Sequence, residues 1–178
     1  MGSERLMMKK LEVFFDYSCP YCLKGYYYLT ELLPEYPELE VVWRLCEAHP
    51  RPEEGFGKHT DLCIQGAFFA AQKGVDMMAY HEKMFTLYHI DRVDVEDANV
   101  LAQALSDLLD IGEFAEALSS GRYAKDLKAA NAYAFEQSGV WVIPAFRMGG
   151  KKLDAAAGVG VTKEQLREFL NMSRQTAG

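Results

Sequence analysis

An apolar run, Leu11-Glu12-Val13-Phe14-Phe15, meets a helix-forming run, Leu23 to Leu33, and the junction between them carries Cys19-Pro20-Tyr21-Cys22. Two cysteines two residues apart at a strand-to-helix junction constrain this chain more than any other feature. The first thiol falls at a helix N-terminus, where unpaired backbone N–H groups and the helix dipole favour a thiolate. Pro20 suits the first helical position, because it has no N–H to leave unpaired and its φ is already near the helical value. The second thiol lies one turn further in, within reach of the first for a short disulfide. This is the arrangement that dithiol–disulfide exchange needs.

Two other uses of the motif compete. A closed zinc site wants four ligands and usually a second close pair, and the chain has no second C-x-x-C. Cys46-Glu47-Ala48-His49 and His59-Thr60-Asp61-Leu62-Cys63 have loosely ligand-like spacings, so a metal role stays open as the lesser reading, and no metal ligand set is assigned. A purely structural disulfide would close so short a loop that it would constrain the unfolded chain little.

Net charge is −7, from 19 basic and 26 acidic residues, and no basic run offsets it, which argues against a nucleic-acid surface. No run of 18 or more apolar residues exists to span a membrane. The first ten residues lack the apolar core of a signal peptide, so the expected compartment is the cytoplasm. There a C-x-x-C is more often catalytic than a permanent staple. Residues 1–8 are read as a cloning scar, Gly2 to Leu6, followed by a native start.

Along the chain, the patterns predict a strand over 10–16, a helix over 20–33 stopped by Pro34, and a strand over 39–45. His49-Pro50-Arg51-Pro52 cannot be regular structure, since each proline biases its predecessor to extended geometry. Helices are then expected from Asp61 to Gly74 and after Asp76 as N-cap. Another opens at 94–97 with Val100, Leu101, Ala104, Leu105, Leu108 and Leu109 on one face, and a short one follows at 114–118. A long helix over 121–137 is expected to turn Tyr123, Leu127, Ala130, Ala134 and Phe135 inward. A hairpin over 144–155 turns at Gly149-Gly150, and Thr162 caps a final helix. Strands at both ends with helices between them imply an α/β domain that carries a helical insertion, opening on a parallel strand pair.

Gly139-Val140-Trp141-Val142-Ile143-Pro144-Ala145-Phe146 resembles the loop of thioredoxin-fold proteins in which a cis-proline faces the C-x-x-C just before a strand. With it, residues 9 to 172 resemble the DsbA-like thioredoxin superfamily. Phe14-Phe15-Asp16-Tyr17-Ser18-Cys19-Pro20-Tyr21-Cys22 is most similar to the opening of its cytoplasmic FrnE-like branch, which also holds kappa-class glutathione transferases and 2-hydroxychromene-2-carboxylate isomerases. Those transferases and isomerases typically carry Ser at the place of Cys19 and lack the second thiol, whereas this chain keeps both. The resemblance implies a thioredoxin-like core at 9–55 and 138–174 with a helical insertion at about 56–137. It also implies that Ile143 and Pro144 form the substrate-facing loop, and that protein or small-molecule thiols and disulfides are the partners. No cofactor is expected, glutathione being a candidate co-substrate.

Cys19 is the expected nucleophile and Cys22 the resolving thiol, with Pro20 and Tyr21 tuning the couple. A tyrosine there adds no cationic neighbour, so a comparatively reducing couple is expected. Asp16 is a candidate proton carrier for the resolving thiol, and Glu12 a weaker one. One of Tyr26, Tyr27 and Tyr28 is expected to line the surface near the site. Cys46 and Cys63 sit in apolar surroundings and read as buried free thiols rather than a second pair.

Overall fold

A computed structural model describes residues 8–175; the suspected scar lies outside them. The sheet is built from strands β1 (Lys9–Phe15), β2 (Leu39–Leu45), β3 (Ala145–Met148) and β4 (Lys151–Asp154), in the order β2-β1-β3-β4. β1 and β2 are parallel, as the strand–helix–strand opening requires, and β3 and β4 are added antiparallel. β1 alternates: Leu11 and Val13 meet Leu29 and Leu32 of helix α1 (Pro20–Leu32) and Leu166, Phe169 and Leu170 of the C-terminal helix. Phe14, on the opposite face, joins the core beneath the inserted helices, and Phe15 reaches the same core where the strand ends. That period of two explains why an apolar strand can serve two layers at once.

Between β2 and β3 the chain runs through α2 (Asp61–Gln72), α3 (Met77–His89), α4 (Ala98–Ala104), α5 (Ile111–Ser119) and α6 (Ala124–Asn131). After β4 comes α7 (Lys163–Asn171). The expected caps are in place. Asp76 accepts from the amides of Met78 and Ala79, and Thr162 forms a capping box with Gln165.

α1 stops before Pro34 as expected, and Pro34 sits in a 3-10 turn, Leu33–Glu35, that follows it. Two expectations are corrected. The helix expected to open at 94–97 starts at Ala98, because Asp97 accepts from Asn99 and Val100 N–H and Asp94 from Glu96 N–H, which holds the preceding residues in turns. It ends at Ala104, so Leu108 and Leu109 lie beyond it, and Val100 faces solvent. The expected helix over 121–137 is a turn to Tyr123, then α6, then a π-helical segment, Ala132–Gln137. Wider i→i+5 turns shift the register, and Phe135, expected inward, is exposed while Ala134 stays buried.

Gly66 lets α2 pack closely. A Cβ there would lie 2.6 Å from the Tyr80 hydroxyl and 2.7 Å from the Phe114 ring, both fully buried. Gly66→Ala is therefore expected to destabilise the fold by about 1–3 kcal/mol, although alanine is the better helix former. A urea midpoint measurement checks this, and an unchanged or raised midpoint would refute it.

Candidate active site

Cys19 is the N-cap of α1, with extended backbone (φ −84°, ψ 117°), and Pro20 opens the helix. The Cys22 N–H donates to Cys19 Sγ at 3.3 Å and to the Cys19 carbonyl at 3.1 Å, so the thiol sits against the first-turn amides of the helix. Cys19 is half-buried, whereas Cys22, one turn on, is buried. The Cys19 thiol is held below its usual range, first by the hydrogen bond from the Cys22 side chain; the amides of Cys22 and Tyr21 assist, against partial burial and the Asp16 charge. Burial pushes the Cys22 thiol well above its usual range. One thiol is poised to ionise and the other is not.

The Ile143–Pro144 peptide bond is cis. The Ile143 carbonyl oxygen faces Cys19 Sγ at 3.8 Å, and the Pro144 ring lies against Gly25 of α1, where an added Cβ would be 3.2 Å away. The two motifs, more than a hundred residues apart in sequence, therefore meet.

Asp16 ends β1 and is buried. It accepts from Ala48 N–H and Thr60 Oγ1–H, both at 2.7 Å, and from Ser18 N–H at 3.4 Å. Burial raises its carboxyl above the ordinary aspartate range, and these three donors pull against that. Its charge reaches all four thiols, raising Cys19, Cys22, Cys46 and Cys63. Glu12 lies elsewhere: it accepts from Arg44 Nε at 2.9 Å and from the Tyr133 hydroxyl, on the sheet face away from the sulfurs. Tyr26, Tyr27 and Tyr28 do not line the site either. Tyr26 is buried against Trp43 and Phe85, and Tyr27 is exposed on the far part of α1. Cys46 and Cys63 are both buried in the core shared by sheet and insertion. Cys46 and His49 do not converge, since His49 instead stacks on Phe56 at 3.7 Å. Among the described residues no cluster of three or more His, Cys, Asp or Glu side chains is placed to hold a metal ion.

The thiol opens into a cavity of about 530 Å³. Its walls combine Tyr21, His49, Phe56, Phe135, Trp141 and Ile143, with Ala157 and Gly158 from the loop after β4. Trp141 is 91% exposed, Phe56 56% and Phe135 37%, so three large aromatic side chains face solvent around one sulfur. Sequence reasoning missed all three. Trp141 carried a signal, an aromatic within the proline loop, but nothing local could have assigned Phe56 or the π-shifted Phe135. A second cavity, about 590 Å³ between β2, α2 and α6, contains no thiol in its lining.

Beneath the site, the buried Tyr17 hydroxyl lies 2.7 Å from His81 Nδ1, and His89 Nε2 lies 2.7 Å from the Tyr17 carbonyl. Burial depresses the His81 imidazole to about 3, so it is neutral and accepts from the phenol. The histidines, to which the sequence assigned no role, thus buttress the segment between β1 and Cys19.

A dithiol at a helix N-terminus facing a cis-proline on a mixed four-stranded sheet defines a thioredoxin-like domain with helices inserted between its strands. Residues 10–171 match the model of the DSBA-like thioredoxin domain, and the chain belongs to that family. YwbO, an uncharacterized protein of Bacillus subtilis (strain 168), is 23% identical, over 91% of this chain and 98% of its own length. The probable DsbA oxidoreductase SCO1869 of Streptomyces coelicolor superposes with a TM-score of 0.79 at 16% identity, covering 96% of this chain and 92% of that one. A thioredoxin-like oxidoreductase from Silicibacter pomeroyi DSS-3 gives 0.69 at 20% identity, covering 95% and 88%. At these identities the two structures speak for the fold alone.

Proposed function

We propose that the protein is a thiol–disulfide oxidoreductase that works through Cys19 and Cys22. The observation that carries this reading is the asymmetry of the pair: an accessible, acidified Cys19 at the helix N-cap above a buried, weakly acidic Cys22. The Cys19 thiolate attacks one sulfur of a substrate disulfide, forming a mixed disulfide and releasing the other sulfur as a thiolate that takes up a proton. Cys22 then loses its proton and attacks Cys19 Sγ. The Cys19–Cys22 disulfide forms, the second substrate thiol leaves, and two electrons have passed to the substrate; the oxidative direction is the reverse. Asp16 is the proton acceptor we assign to Cys22, because its buried carboxyl holds a proton more readily than an exposed one. Ile143, beside the sulfur, offers its carbonyl to an extended substrate backbone.

The differently tuned pair favours dithiol chemistry over a transferase or isomerase, which needs one activated group only. The cavity favours a protein or peptide disulfide over glutathione. Among the described residues its lining holds three exposed aromatics and no Lys or Arg to pair with the glutathione carboxylates. Pro20 and Tyr21 bring no cation to stabilise the thiolate further, so the couple belongs on the reducing side of the exchange catalysts and suits a reducing compartment such as the cytoplasm.

Equilibration with glutathione buffers and mass-resolved thiol trapping tests the reading. A reversible two-electron couple between about −270 and −120 mV, nearer the first value, is expected. A Cys19–Cys22 pair that never forms a disulfide would sink it.

A further inference from the structure

Tyr21 does more in this structure than separate two cysteines. It is the second residue of α1, and its hydroxyl donates to the Gly158 carbonyl at 2.9 Å. Its ring lies against Gly160, where an added Cβ would come 3.1 Å from both the Tyr21 Cβ and the ring edge. Gly158 and Gly160 take φ of +73° and +86°, which side-chain-bearing residues rarely adopt. The two glycines allow both the tight turn and the close approach of the ring.

The loop that Tyr21 touches joins β4 to α7. Its stem is well tied: Ala155 N–H donates to the Pro144 carbonyl at 3.1 Å, and Ala156 and Gly160 pair with each other at 3.2 and 2.9 Å. Val161, buried, closes the stem against α1 near Gly25. The tip is different. Ala157 and Gly158 line the Cys19 cavity, and among the described residues the bond from Tyr21 is the tip's one hydrogen bond to another element.

We propose that Tyr21 is a positioning residue for substrate selectivity, which through its ring and hydroxyl holds the Ala157–Gly158 tip as a fixed wall of the Cys19 cavity. The proposal rests on disulfide exchange at Cys19 and deepens it, by giving the second inserted residue of the motif a role in substrate reach besides the tuning of the couple. A disulfide whose flanking side chains fill the cavity touches that wall. A small disulfide that meets only the sulfur does not.

The test compares two substrates in the full chain and in Tyr21→Phe, which keeps the ring and removes the donor. One is a peptide disulfide with a leucine beside its cysteine; the other is 2-hydroxyethyl disulfide. The ratio of their kcat/KM values is expected to fall about three- to tenfold in the variant, the loss appearing in KM for the peptide, as for one net hydrogen bond. A change in the reduction potential acts on both substrates and leaves the ratio alone. Hydrogen exchange at the amides of Ala156, Val159 and Gly160 is expected to quicken. Gly160→Ala, which displaces the ring, is expected to lower the ratio too, and the double variant to add little to either single one.

An unchanged ratio overturns the proposal, whether both substrates slow equally or neither does. Wild-type protein that exchanges neither disulfide removes the oxidoreductase reading itself, a separate outcome from a ratio that fails to move.

Discussion

Cys22→Ser is expected to yield a protein that captures substrate and does not let it go. Cys19 stays at the helix N-cap in the variant, half-exposed beside the Ile143 carbonyl, so the first attack survives. The second attack needs a sulfur nucleophile one turn in, and a serine hydroxyl at that buried place cannot displace a thiolate. Multiple-turnover exchange is expected to fall on the order of 10³-fold or more, the scale of deleting a member of a reacting unit. A stoichiometric mixed disulfide on Cys19 accumulates instead and is read by intact-mass spectrometry. Cys19→Ser is expected to lose turnover and trapping together. Retained turnover in Cys22→Ser would instead support the glutathione-dependent transferase or isomerase reading, in which only position 19 reacts.

The second large effect concerns stability against pH. His81 is buried, its imidazole depressed from 6.5 to about 3 because burial penalises the charged form. Unfolding exposes it and restores its ordinary basicity. Between about pH 6.5 and 3 the unfolded chain therefore binds a proton that the folded one refuses, so stability rises with pH in that window. The His81 contribution is fully present above pH 6.5 and is lost as pH falls toward 3. His89, depressed by burial, works in the same direction. Asp16 and Glu47 oppose it: burial raises both carboxyls, so their contribution is present at low pH and is lost as pH rises through their folded values. Comparison with His81→Asn isolates the histidine, since asparagine keeps an acceptor for the Tyr17 hydroxyl but does not titrate. Below pH 6.5 the wild-type urea stability is expected to fall faster than that of the variant by up to about 1.4 kcal/mol per pH unit, one proton's worth. Parallel curves would show that His81 takes up its proton in the folded protein as readily as in the unfolded chain. Either variant leaves the Cys19–Cys22 pair itself unaltered or altered at one atom, so the two measurements do not confound each other.

Together these tests address different layers of the same segment. Tyr17, two residues before Cys19, is anchored by His81 and His89 below, while Asp16 is anchored by Ala48 and Thr60 from two other stretches of chain. The turn that delivers Cys19 to the helix N-terminus is thus held on both sides by buried hydrogen bonds. Such bonds are costly to leave half-made, which favours one conformation of the turn.

The local features of the site were legible in the residues. The alternation of Leu11 to Phe15, the proline after Cys19, and the caps at Asp76 and Thr162 each act within a turn or two of chain. Backbone geometry there is decided by neighbours in sequence, so the strand–Cys–helix junction and the parallel strand pair follow from the residues alone. The proline loop was found through resemblance, and its meeting with Cys19 at 3.8 Å is a tertiary fact. What packing alone decided is the rest of the site. Phe135 turns outward because a π-helical segment shifts its register, a choice that periodicity of 3.6 cannot foresee. Phe56, Trp141 and the Ala157–Gly158 tip converge on one sulfur from three distant stretches, and Asp16 is buried by partners at 48 and 60. Each of these depends on how remote segments pack, and no local propensity encodes that.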